Sequence, residues 1–187
     1  MSVKQFRITA PQRTYAGKEL ADYKRYKKFL VEDFHERCGY TDCSHFWFGG
    51  KTTFQIDHFK PKSIYPALET KYSNLVYSCS YVNRAKSNDD SGNYIDPCEV
   101  DYNAHFYRDE LGNIFPDKKS DSAQYMYKKL KLYLKRYSII WMLEQLTEKK
   151  ELLRKYIQEF GDQEAKDLYL EIDYLFMNYL KYLKAEQ

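Results

Sequence analysis

Asp57 and His58 stand side by side in "FQIDHFKPKS", Asn74 follows in "YSNLVYSC", and Asn83 lies in "VNRAKSN" with Lys86 three residues on. Carboxylate and amide oxygens are hard donors that suit a divalent cation such as Mg²⁺ or Mn²⁺. An imidazole, with an unperturbed pKa of about 6.5, can take a proton from water at neutral pH. A hydrolysis could be divided among them, with Asp57 and Asn83 holding the metal and His58 preparing the nucleophile. The alternation of Phe54, Ile56 and His58 against Thr53, Gln55 and Asp57 predicts a strand with the two duties on opposite faces. Asn83 alone reads equally as a helix cap, and an Asp-His pair alone is usually structural, so the chemistry belongs to the ordered set.

These residues need elements to position them. Residues 17 to 37 place Leu20, Tyr23, Lys27, Leu30 and Phe34 three or four apart, which predicts an amphipathic helix. Gly49 and Gly50 mark a turn before the strand. The stretch from Tyr72 to Asn88 reads as a short turn leading into a helix around Ser80 to Lys86, and "FYRDELGNIFP" as a hairpin turning at Leu111 to Asn113. Beyond Pro116 the chain has no further proline and a single glycine, Gly161, so the tail is expected to be helical. One apolar stripe runs through Met126, Leu130, Tyr133, Tyr137 and Ile140. Another runs through Leu168, Ile172, Leu175, Tyr179 and Tyr182. Such stripes serve either a bundle within the monomer or a surface for a partner.

At 187 residues the chain suits one substantial core with a helical appendage. Hydrophobic content of 43% with 30% charged residues is that of a soluble globular protein, and no run approaches the roughly 20 apolar residues of a membrane span. The first residues lack the apolar segment of a secretory signal, so a cytoplasmic location is expected and Cys38, Cys43, Cys79 and Cys98 are expected as thiols or metal ligands. A net charge of +3 neither requires nor excludes a polyanionic partner. The 18% aromatic content is expected mainly in core and half-buried helix faces, although aromatic rings can also stack on bases. His105 reads as a structural histidine, and lysine runs such as "KKLKLYLKR" as the solvated side of a helix.

The ordered set "IDHFKPKS", "YSNLVYSC" and "VNRAKSN" resembles the HNH endonuclease motif, the ββα-metal nuclease, in its variant with Asn at the third position. The resemblance implies an α+β fold: a small ββα-metal core at 38–116, an N-terminal segment and helix at 1–37, and a C-terminal helical region at 117–187. It implies a metal-dependent hydrolase of phosphodiester bonds in nucleic acid, with DNA the expected substrate. Asp57 and Asn83 would hold the ion, His58 would be the base, and Asn74 would tie the intervening loop. Lys86 matches a basic position that contacts phosphate or the scaffold, while Lys60, Lys62 and Arg84 are assigned to nucleic-acid binding from charge and position alone. The wider chain is similar to HNH proteins of bacterial anti-phage defence, of the Septu and retron-associated type, which often work beside an ATPase. The resemblance therefore admits an ATPase partner, or a homo-oligomer through the C-terminal helices. A non-catalytic nucleic-acid-binding or assembly subunit that keeps the scaffold is the alternative.

The chain departs from that family at its cysteines. Many such proteins hold a structural Zn²⁺ with two Cys-x-x-Cys knuckles, whereas here Thr41 stands three after Cys38 and Val82 three after Cys79. Zinc is possible but not favoured, and Cys38 and Cys79 are expected to pack as small hydrophobes.

Overall fold

The computed structural model describes residues 3–185 and folds them into two small antiparallel sheets and five α-helices, an α+β architecture. In chain order the elements are β1 (Lys4–Gln5), α1 (Lys27–Asp33), β2 (Gln55–His58), β3 (Leu75–Ser78) and α2 (Ser80–Lys86). After these come β4 (Phe106–Arg108), β5 (Ile114–Pro116), α3 (Asp121–Lys129), α4 (Lys135–Phe160) and α5 (Gln163–Ala185). β2 pairs with β3, and β4 lies between β1 and β5. One continuous apolar core runs from Phe6 and Leu30 through Leu75 and Ile114 to Leu183, so the three sequence segments share it.

The strand expected around Asp57 is present as β2, the helix around Ser80 to Lys86 as α2, and the hairpin as β4–β5. α1 is shorter than its periodic pattern. Asp22 caps a 3-10 turn at Tyr23–Tyr26 by accepting a hydrogen bond from the Lys24 amide, so regular helix starts only after it. β3 was not visible as a strand in the local pattern. Leu75, Val76 and Tyr77 are all buried, and a strand covered on both faces shows an apolar run in place of alternation.

The tail is helical but interrupted, contrary to the unbroken first stripe. Leu130 and Leu132 are both buried, yet residues two apart on a continuous helix point to nearly opposite sides. The chain resolves this by ending α3 at Lys129 and turning through Lys131, whose φ of 55° is left-handed, before α4 begins. Tyr133 consequently leaves its stripe and is exposed. In the second stripe Ile172 is buried and Tyr179 half-buried, while Leu168, Leu175 and Tyr182 face outward. The side of α5 that packs inward runs instead through Ala165, Ile172 and Leu183. Among the described residues no helix is long and apolar enough to cross a membrane.

Candidate active site

β2, β3 and α2 form the scaffold of the site. The antiparallel register sets Asp57 opposite Val76 and His58 opposite Leu75, and the loop between the strands returns at Asn74. Phe59 donates its amide to the Asn74 carbonyl at 2.8 Å, extending the pairing one step. The Asn74 side chain ties that loop together: its Oδ1 accepts from the Lys60 amide at 2.8 Å, and its Nδ2 donates to the carbonyls of Lys60 at 2.9 Å and Leu68 at 3.3 Å. Where β2, the loop and α2 meet, Asp57, His58 and Asn83 line an open pocket of about 390 Å³, with Tyr23, Lys62 and Arg84 around them.

His58 is oriented by the backbone. Its Nε2 lies 2.9 Å from the carbonyl oxygen of Glu69. A carbonyl only accepts, so Nε2 carries the ring proton and Nδ1 keeps the lone pair. The edge of the Tyr23 ring packs on the imidazole at 4.7 Å between centroids. Burial lowers the His58 pKa below its usual value, and the Glu69 carbonyl opposes this only in part. The ring is therefore neutral at pH 7, as a general base must be.

Asp57 has a different environment. Its carboxylate accepts a hydrogen bond from the Tyr40 hydroxyl at 2.6 Å, and the Lys86 ammonium lies 3.2 Å from both of its oxygens. Lys86 also donates to the His58 carbonyl at 2.7 Å. Burial pushes the Asp57 pKa up, and Lys86 and the Tyr40 hydrogen bond pull it back only in part. Of the two roles left open for Lys86, the phosphate contact of a nucleic-acid-binding residue is corrected here, and the contact with the scaffold stands. Its side chain is 0% exposed, and an ammonium whose donors are spent on Asp57 and His58 inside the protein cannot reach a phosphate outside it. Lys86 belongs to the scaffold and compensates the charge of Asp57.

α2 crosses β2 in a definite register. The Asn83 amide donates to the Gln55 side chain at 2.6 Å, and Lys86, three residues on, meets Asp57, two residues further along the strand. Asn83 thus faces Gln55 directly and shares the pocket with Asp57. Its Nδ2 is committed to Gln55, whereas its Oδ1 has no hydrogen-bond partner among the described residues.

Of the three remaining basic residues, Arg84 is exposed on α2, with its Nε donating to the Ser80 carbonyl. Lys62 pairs with Glu69 at 2.7 Å and lies over the Tyr23 ring, and Lys60 pairs with Asp90 at 3.2 Å. Lys62 and Arg84 line the pocket, whereas Lys60 lies outside its lining. His105 is elsewhere, 2.7 Å from the hydroxyl of Ser120, the residue that caps α3.

Cys38, Cys43 and Cys79 are buried thiols, and the Cys79 amide donates to Cys38 Sγ at 3.4 Å. Thr41 and Val82 are fully buried as well. Among the described residues no three His, Cys, Asp or Glu side chains come together as a metal site. For Mg²⁺ the relevant donors are those that this grouping leaves out, one carboxylate and one amide carbonyl. Mg²⁺ takes one or two protein carboxylates and fills its octahedron with water and substrate phosphate, so the pair Asp57 and Asn83 fits in donor type. Tyr23, Tyr40, Gln55 and the Glu69 carbonyl were absent from the sequence-based set. Their contacts span up to 35 residues and follow no motif spacing.

Comparison of the chain with protein-family models, with curated proteins and with solved structures finds no match in any of the three.

Proposed function

We propose that this pocket is the active site of a metal-dependent phosphodiesterase of the HNH, ββα-metal kind, acting on nucleic acid and on DNA in the first instance. The observation that carries the proposal is the contact of His58 Nε2 with the Glu69 carbonyl, which leaves Nδ1 as the basic nitrogen of a residue that lines one pocket with Asp57 and Asn83. His58 Nδ1 takes the proton of an attacking water. The resulting imidazolium is stabilised by the Glu69 carbonyl at Nε2, which bonds a charged donor more strongly than a neutral one. Asp57 and Asn83 would hold Mg²⁺ or Mn²⁺, whose charge would stabilise the phosphorane oxygens and the departing alkoxide. Lys62 and Arg84 at the pocket wall offer cations to the phosphate backbone. By resemblance to the family, the products carry a 5′-phosphate and a 3′-hydroxyl.

One observation favours the second reading, a scaffold that binds without cutting: both oxygens of Asp57 are already engaged by Tyr40 and Lys86. Supercoiled plasmid separates the two. A nuclease nicks it with Mg²⁺ or Mn²⁺ and not with chelator, and His58→Ala lowers the rate about 10²- to 10⁴-fold, the usual share of a general base. A wild-type chain that binds DNA equally with and without chelator and cuts neither DNA nor RNA would leave the scaffold reading standing.

A further inference from the structure

The α4–α5 hairpin has two broad faces. One is turned toward the rest of the molecule, where Glu144, Thr147 and Phe176 line a cleft with Arg37, Phe46 and Trp47. The other is lined near its base by Ser138, Ile139, Tyr179 and Tyr182, with Leu111 and Asn113 of the β4–β5 turn beside them, and is clear of the rest of the chain only beyond that base. A line of apolar residues leaves that base in steps of seven along each helix. On α4 it runs Ile139, Leu146, Leu153, Phe160, and on α5 it runs back through Tyr182, Leu175 and Leu168. A seven-residue step drifts only about 20° around a helix, so each line stays on the same face from base to tip. Ile139 and Leu146 are buried, but Phe160, Leu168, Leu175 and Tyr182 are 46–61% exposed. Heptad lines of this kind are the seam of a helical bundle, and here the seam is covered along the first half of α4 and open at its tip and along α5.

The charges beside the seam differ between the two helices. Lys149 flanks it on α4, Glu164 and Glu171 flank it on α5, and all three are exposed. Lys150 pairs with Asp173 within the hairpin, which sets Lys149 and Glu171 about 4.5 Å apart in height along it, within reach of their long side chains. A two-fold axis parallel to the helices would lay α4 of one copy against α5 of the other, antiparallel and at unchanged height. Lys149 would then meet Glu171 of the partner subunit, and the reciprocal pair would form by symmetry. The four exposed side chains, backed by Leu153 and Ile157, present on the order of 400–500 Å² of apolar surface per copy. A standard interface buries about 800 Å² per partner, about two-thirds of it apolar in homodimers. The seam and its charged edges match that requirement.

We infer that the outer face of the α4–α5 hairpin is a self-complementary dimer interface, which joins two copies of this chain through a four-helix bundle. The face lies on the opposite side of the hairpin from the cleft that holds Phe46 and Trp47, and none of the residues on it lines the candidate site. Two copies of the candidate site are thereby held in one particle.

Sedimentation velocity on the full chain, without metal or nucleic acid, tests this independently of any cleavage. The wild type is expected at twice the monomer mass, and Leu168→Glu with Leu175→Glu at monomer mass with an unchanged helical circular-dichroism signal. Lys149→Glu or Glu171→Lys alone should weaken association at least about tenfold by setting like charges together, and the two combined should recover it. Since these side chains are exposed, loss of pairing in the variants is separable from loss of folding. A wild type that stays monomeric at every concentration overturns the inference and leaves the face to a different protein. A dimer unaffected by the leucine substitutions, or charge reversals that fail to compensate, overturns it equally.

Discussion

Replacing Lys86 by Met tests the electrostatics of the site most directly. The substitution keeps an unbranched chain of similar length in a fully buried position and removes one charge. Asp57 then loses an ammonium 3.2 Å from both of its oxygens and keeps the Tyr40 hydrogen bond, while the His58 carbonyl loses a donor at 2.7 Å. Breaking a buried pair in this way costs about 3–5 kcal/mol. Protonation limits the charge part of that cost. Holding a carboxyl neutral at pH 7, against an unfolded pKa of about 3.9, costs about 4 kcal/mol, and each pH unit lower removes about 1.4 kcal/mol. The sign follows: burial already holds the folded-state pKa of Asp57 above its ordinary value, and the variant raises it further, so its stability relative to wild type improves as pH falls. Urea unfolding followed by Trp47 and Trp141 fluorescence should give a loss of about 3–5 kcal/mol at pH 7 and about 2 kcal/mol at pH 5, where the unpaired His58 carbonyl contributes a larger share. Mg²⁺ should stabilise the variant more than the wild type, because a cation at Asp57 then replaces the missing charge. A loss under about 1 kcal/mol at pH 7, or one that grows toward pH 5, would show that Lys86 does not compensate Asp57.

The acid limb of kcat/KM should fall below about pH 6.5, because burial depresses the His58 pKa and the neutral ring is the active form. A limb above pH 7 would remove His58 as the base. Asn74→Ala should cost about 2–3 kcal/mol, since it unties three hydrogen bonds across the loop and leaves the Lys60 amide unsatisfied. Hydrogen exchange at the Lys60 amide should quicken together with the loss, and an unchanged exchange rate there would show that the loop is held by other contacts.

Some of this protein was legible residue by residue. β2 and α2 follow from short-range patterns, period-two alternation into His58 and the run "SYVNRAK" after Cys79, and the β4–β5 hairpin from its Gly112-Asn113 turn. The ordering of Asp57, His58, Asn74 and Asn83 was legible too, and it carries the candidate chemistry. The interruption between α3 and α4 was not. No proline or glycine marks it, and its cause is that Leu130 and Leu132 must both reach the core.

The partners of the site lay equally beyond local reading. Lys86 looks like any helix lysine until α2 crosses β2 and brings it against Asp57, which converts a presumed phosphate contact into a buried counter-charge. Tyr40 becomes a ligand of the same carboxylate only because the chain before β2 folds back over it. The residues alone therefore determined which groups can do chemistry and which short elements carry them, because side-chain type and periodicity are local properties. Tertiary structure decided what each group faces, because the pKa of His58, the pairing of Asp57 and the burial of Lys86 depend on atoms far away along the chain and close in space.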